Sequence, residues 1–143
     1  VTTPQPSTTV TLVEFLRARE AEREQAAQAA LQGPWVRGTE REHLVDHVLY
    51  GQSSWSGHLG QVANFEVAHN GEANVVHIAR HDPAWVLHDV AIKRRIIDTH
   101  EGSHECPSEY DNCGWAVGDC TTLRLLALSE AGHPDYRAEE WKP

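Results

Sequence analysis

The sequence contains no methionine, only two lysines (Lys93 and Lys142) beside ten arginines, and three cysteines, Cys106, Cys113 and Cys120. An odd cysteine count excludes a fully paired intramolecular disulfide framework. No apolar run approaches the ~18–20 residues that span a bilayer, which argues against a helical membrane protein. Also missing are a Gly-rich phosphate loop, a Gly-x-Ser-x-Gly elbow, an EF-hand loop and a His-Glu-x-x-His zinc motif. Nucleotide-binding, serine-hydrolase, calcium-sensor and metalloprotease readings therefore find no motif to stand on. The first ten residues, VTTPQPSTTV, lack the basic-then-apolar order of a secretion signal. They read as a flexible tail on a cytoplasmic protein. Val1 in a methionine-free chain reads as a GTG start translated as valine, and the arginine and alanine bias fits a high-GC genome.

Positive charge is scarce. Twelve Lys+Arg stand against 21 Asp+Glu, a net charge of −9, and such a chain repels phosphate backbones. Lys93, Arg94 and Arg95 form the sole basic run, and three adjacent helical positions point in three directions. Nucleic-acid binding is not expected. The five tryptophans read as core and lid residues, since a base-stacking platform works beside a positive groove. Ten histidines would carry the net charge from −9 to +1 if all were protonated, so partner electrostatics should change strongly between pH 7 and pH 5.

At 143 residues with 40% hydrophobic and 23% charged side chains, the chain fits one small domain over 11–143. Thr11 and Glu14 form a capping-box pattern ahead of Leu12, Val13, Phe15 and Leu16. Helical spacing runs on to Leu31, and Gly33-Pro34 stops it. The charged stretch from Arg17 to Gln25 leaves only the two ends of this helix able to dock. Leu44, Val45, Val48 and Leu49 fit a short helix ended by Gly51, although the same residues fit a strand. Ala63, Phe65 and Val67 alternate with polar residues, Asn70-Gly71 supplies hairpin turn chemistry, and Ala73, Val75, Val76 and Ile78 follow. This reads as a β-hairpin over about 61–69 and 72–79.

Asp82-Pro83 opens the clearest helix, with Asp as cap and Pro in the first turn. Val86, Leu87, Val90, Ala91 and Ile97 supply an inward stripe, and Trp85, Ile92 and Ile96 a second apolar flank. The helix ends near His100. A polar loop over 101–119 leads to a short apolar helix carrying Leu123, Leu125, Leu126 and Leu128. Tyr136 and Trp141 in the tail are expected to fold back onto the body. The resulting architecture is α+β: N-terminal helix, β-hairpin, central helix, Cys/His loop and short C-terminal helix.

The residues with metal chemistry are His100, His104, Cys106, Cys113 and Cys120. Thiolate and imidazole are the preferred ligands of zinc, and a structural site takes four in a tetrahedron. A metal clip would offset the chain entropy of a long polar loop. Cys120 is placed at a helix N-terminus, where the dipole favours negative charge. No Cys-x-x-Cys knuckle is present. Three thiols without a metal, or a Cys106–Cys113 disulfide or redox pair, are the alternatives. His77/His81 and His43/His47 share a four-residue spacing. The first pair falls at the exit of the expected hairpin, where a helical face need not exist and His81 reads as satisfying backbone groups at the turn, and the second reads as a solvated helix face.

The segments LVEFLRAR (12–19), GPW (33–35), HIARHDPAWVLHDVAIKRRI (77–96), CTTLRLLAL (120–128) and HPDYRAEEWKP (133–143) together resemble a family of small actinobacterial and actinophage proteins known only as a domain of unknown function. The likeness spans nearly the whole chain. It implies cysteines in the loop before a cysteine that opens the Leu-rich helix, which map onto Cys106, Cys113 and Cys120, although the Cys106–Cys113 gap is wider than the family's usual pair. It also implies a histidine ending the central helix, which makes His100 the fourth ligand in preference to His104. An apolar residue near Glu20 is common in the family, so the first helix here is expected to dock less well.

The function expected is that of a non-enzymatic accessory or binding module in a bacterial or phage cytosol, with structural Zn2+ and an acidic surface facing a protein partner. The alternatives are a metal-dependent hydrolase or nuclease-like enzyme, which needs an open coordination position, and an acidic inhibitor that mimics nucleic acid.

Overall fold

The computed structural model describes residues 10–38, 48–52, 59–64, 71–102 and 120–143. Its elements run in the order α1 (Leu12–Ala29), β1 (Gln32–Arg37), β2 (Val48–Gln52), β3 (Leu59–Asn64), α2 (Gly71–Ala79), α3 (Pro83–His100) and α4 (Thr121–Leu128). The α+β class with an N-terminal helix, an antiparallel hairpin, a central helix and a C-terminal helix is as the sequence indicates. No helix among the described residues is long and apolar enough to cross a membrane. The described residues fall into two compact units, one within 1–20 and 93–143 and the other within 21–92.

The first, here the terminal unit, holds the larger core. Helix α1 begins with a reciprocal capping box. The Thr11 N–H donates to Glu14 Oε2 at 2.8 Å, and the Glu14 N–H donates back to Thr11 Oγ1 at 3.2 Å. These bonds satisfy amides that have no partner inside the helix. Leu12, Val13, Phe15 and Leu16 are then buried with Ile97 of α3, Cys120, Leu123 and Ala127 at α4, and Trp141 of the tail. Tyr136 packs on the same cluster. The tail aromatics thus return to the body as expected, with the Phe15 and Trp141 rings 4.7 Å apart.

The charged middle of α1 departs from expectation. Arg19 and Glu20 are buried, at 7% and 3% exposure. The Arg19 guanidinium lies under Phe15, 5.2 Å from the ring centroid, and against His133 at 2.6 Å. Arg17 pairs with Asp98 and Glu101. Long side chains bury their stems and find partners at their heads, so charge does not keep this part of the helix from docking.

The second, inner unit is built on a sheet of order β1-β2-β3, antiparallel throughout. Pro34 lies in β1, an edge strand, where a missing N–H is tolerated. The Gly33-Pro34 bond is cis, and the β1–β2 register shifts between Gln32 and Val36. In β3, Leu49↔Ala63 is followed by Tyr50↔Gln61, which leaves Val62 as an extra residue. Gly51 is required by its neighbours: a Cβ there would lie 2.9 Å from Trp35 Cδ1 and 3.0 Å from the Gln32 carbonyl oxygen.

Two expectations are corrected in this unit. Val48 and Leu49 belong to a central strand rather than a helix, and both are buried. The hairpin exists, but β3 pairs with β2, and the segment expected as its second strand is helix α2, packed on β1 and β2. Val75 is buried and Ile78 and Ala79 are half-buried, while Asn74, Val76 and His77 are exposed. That is the 3.6-residue period, and a short apolar run fits either period until its neighbours choose.

Helix α3 spans the expected residues, and Asp82 is its cap. Asp82 Oδ1 accepts the Trp85 N–H at 2.8 Å, and Oδ2 accepts the Trp35 N–H of β1 at 3.3 Å. One carboxylate thus fixes the start of α3 to the edge strand. Val90 and Ile97 face inward, whereas Trp85 and Ile92 of the expected second flank are 44% and 45% exposed.

Candidate metal centre

The terminal unit brings together two of the expected ligands. His100 is the last residue of α3, and Cys120 is the N-cap of α4. Ile97, one turn before His100, is buried in the core cluster that also contains Cys120. That packing turns the end of α3 toward the start of α4. Cys120 is fully buried. Its side chain makes no capping hydrogen bond to α4. Its sulfur instead lies 3.5 Å from His100 Nδ1. Residues twenty apart in sequence thus meet through their soft donor atoms.

His104, Cys106 and Cys113 lie outside the described residues, as do His43 and His47. Among the described residues no group of three or more His, Cys, Asp or Glu side chains gathers around a common point. The described part of the expected site is one thiol and one imidazole at a helix-to-helix junction.

Three further arrangements bear on function. An open cleft of about 670 Å³ in the terminal unit is lined by Thr11, Glu14, Arg17, Arg124, Arg137 and Trp141, among others. Its charges are largely answered from within. Arg17 pairs with Asp98, Arg137 with Glu140, and Arg124 Nη1 donates to the Lys142 carbonyl at 3.0 Å. The Glu14 carboxyl is held below its ordinary value near 4.5 by the Thr11 backbone N–H and then by the Thr11 hydroxyl. The walls come from residues 11–14, 17, 101, 124, 137, 140 and 141, and no local spacing announces them.

The second arrangement is around His133, whose Nδ1 accepts the Asp135 N–H at 3.1 Å. The Asp135 carboxylate stands 3.8 Å from Arg19. It ties the HPDY turn to the buried arginine of α1.

The third is a row of rings in the inner unit. His77 and His81 have centroids 4.8 Å apart, and His81 and Trp85 are also 4.8 Å apart. The spacing of the histidines was visible in the sequence. His77 lies at the end of α2, where a strand was expected, and His81 in the turn beyond it.

No match is found among curated proteins or solved structures. A family model matches residues 9–143, and the chain belongs to the family of unknown function DUF6221.

Proposed function

We propose that this chain is a non-enzymatic accessory module of a bacterial or phage-infected cytoplasm. A structural zinc ion held by His100, Cys106, Cys113 and Cys120 fixes residues 101–119 between α3 and α4. The observation that carries the reading is the 3.5 Å separation of Cys120 Sγ and His100 Nδ1. Two ligands on one tetrahedral zinc, with Zn–S near 2.3 Å and Zn–N near 2.0–2.1 Å, stand about 3.5–3.6 Å apart. The donor set is the soft thiolate and imidazole chemistry zinc prefers over magnesium or calcium. Four protein ligands fill a tetrahedron and leave no position for a reacting water, which is the reason for the non-enzymatic reading. The net charge of −9 suits a protein partner rather than a phosphate backbone.

Metal analysis of protein expressed without added zinc tests the site. About one equivalent of zinc per chain is expected. Cys106→Ser, Cys113→Ser, Cys120→Ser and His100→Ala should each lose most of it, while His104→Ala retains it. A thiol–imidazole hydrogen bond has the same separation, and wild-type protein with less than about a tenth of an equivalent would assign the contact to that bond and end the zinc reading. A zinc-bound water would restore the enzyme reading.

A further inference from the structure

We propose that His77 and His81 chelate a divalent transition-metal ion on the surface of the inner unit, Cu2+ most strongly, at a site separate from the His100–Cys120 centre. His77 lies in the last turn of α2. Beyond α2 the chain closes a turn, with the His81 N–H donating to the Ile78 carbonyl at 2.9 Å, and this turn brings the His81 ring beside that of His77. Both side chains are exposed. Their ring centroids are 4.8 Å apart, with planes inclined by 52°. Two imidazoles bound to one ion at about 2.0–2.1 Å, with an N–metal–N angle between 90° and 110°, place their ring centres about 4.5–5.2 Å apart. The observed centroid separation falls within that range.

The second observation concerns the proton. His81 Nδ1 lies 2.9 Å from the His77 carbonyl oxygen. A carbonyl accepts and does not donate, so Nδ1 carries the hydrogen and Nε2 of the neutral ring carries the lone pair. Metal-ligating histidines are held in this way, one ring nitrogen anchored to a backbone carbonyl and the other offered to the ion. Trp85 meets the His81 ring edge-on at 73°. It restrains rotation of that ring, and the Trp85 backbone is itself fixed by the Asp82 cap.

The donor set selects the metal. Two imidazoles without a thiolate favour Cu2+ over Ni2+ and Zn2+ by the usual order of divalent affinities. Among the described residues no third His, Cys, Asp or Glu joins the pair.

The test is a titration of the full chain with Cu2+, followed by NMR signals of the histidine and tryptophan rings. Accessible thiols are first blocked by alkylation, because a free thiolate would take or reduce the first Cu2+; paramagnetic broadening acts at short range, so the readout is then residue-specific. At substoichiometric Cu2+ the His77, His81 and Trp85 ring signals should broaden before those of His88 and His133. His77→Ala and His81→Ala should each weaken Cu2+ binding at this face by at least about tenfold, while His88→Ala does not. Both replaced side chains are exposed, and an unchanged circular dichroism spectrum confirms that each variant folds. Persistence of the His77 and His81 signals at one equivalent of Cu2+, or wild-type affinity in either variant, would overturn the proposal.

Discussion

In the terminal unit the buried side chains are large and mutually in contact. Phe15 meets Trp141, Tyr136 and His133 at centroid distances of 4.7, 6.2 and 5.8 Å, with leucines from α1 and α4 around them. In the inner unit the buried hydrophobic residues among those described are Ala27, Val48, Leu49, Val75 and Val90. None of these is aromatic, and polar groups supply much of the order there. Asp82 joins the start of α3 to β1, Trp35 Nε1 donates to the Leu31 carbonyl at 2.6 Å, and Arg23 pairs with Asp89 at 2.8 Å. The same chain thus uses two ways of fixing structure. Apolar area rewards burial without regard to direction, whereas a carboxylate shared by two amides is directional and fails when either partner moves. The zinc reading belongs to the first unit and the bis-histidine reading to the second.

The sharpest way to break this contrast is to remove an apolar anchor on one side and a polar anchor on the other. Phe15→Ala should cost about 3–5 kcal/mol, the usual range for deleting a fully buried aromatic ring, read by urea denaturation. Asp82→Ala should cost about 2–3 kcal/mol, because it removes a helix cap and strands a second amide. Asp82→Asn should cost less, since the amide oxygen still accepts at the cap. A larger loss from Asp82→Ala than from Phe15→Ala would reverse the contrast.

Close packing of backbone on ring in the inner unit gives the next effect. Gly51→Ala should cost about 1–2 kcal/mol, because the new methyl meets Trp35 and the Gln32 carbonyl. Gly132→Ala, where nothing lies within 4 Å of the added atom, should stay within about 0.5 kcal/mol. Equal effects at the two glycines would remove the Trp35–Gly51 contact from the explanation.

The smallest effect is at the α1 cap. The Glu14 carboxyl is held below 4.5 by Thr11 in the folded chain. A depressed folded value contributes stability above the unfolded value and loses it as pH falls through the folded one. Glu14→Gln should therefore be less stable than the parent above pH 4.5, and the gap should close in more acidic solution. A gap that widens on acidification would contradict the capping geometry.

How far the sequence announced all this follows the same division. Helices α1, α3 and α4 were legible because each start carries a signal: the Thr11–Glu14 box, the Asp82-Pro83 pair, and Cys120 ahead of the leucines. The return of Tyr136 and Trp141 was legible because so small a chain has little else to cover them. Between 35 and 79 the apolar runs are short and fit both periods, so Val48–Gln52 and Gly71–Ala79 took the opposite forms once partners were available. The Asn70-Gly71 turn signal pointed to a strand that is a helix. Burial of Arg19 was hidden because its partners are not local. His133 and Asp135 meet Arg19 from more than a hundred residues away. Donor chemistry pointed to Cys120 with either His100 or His104, and only the family resemblance put His100 first.

The most direct measurement of the central claim is zinc K-edge X-ray absorption on protein purified without added metal. Three sulfur neighbours near 2.3 Å and one nitrogen near 2.0 Å are predicted, a shell filled by the chain alone. No zinc edge at all, or a first shell of oxygen and nitrogen without sulfur, would contradict a loop clipped by Cys106, Cys113, Cys120 and His100.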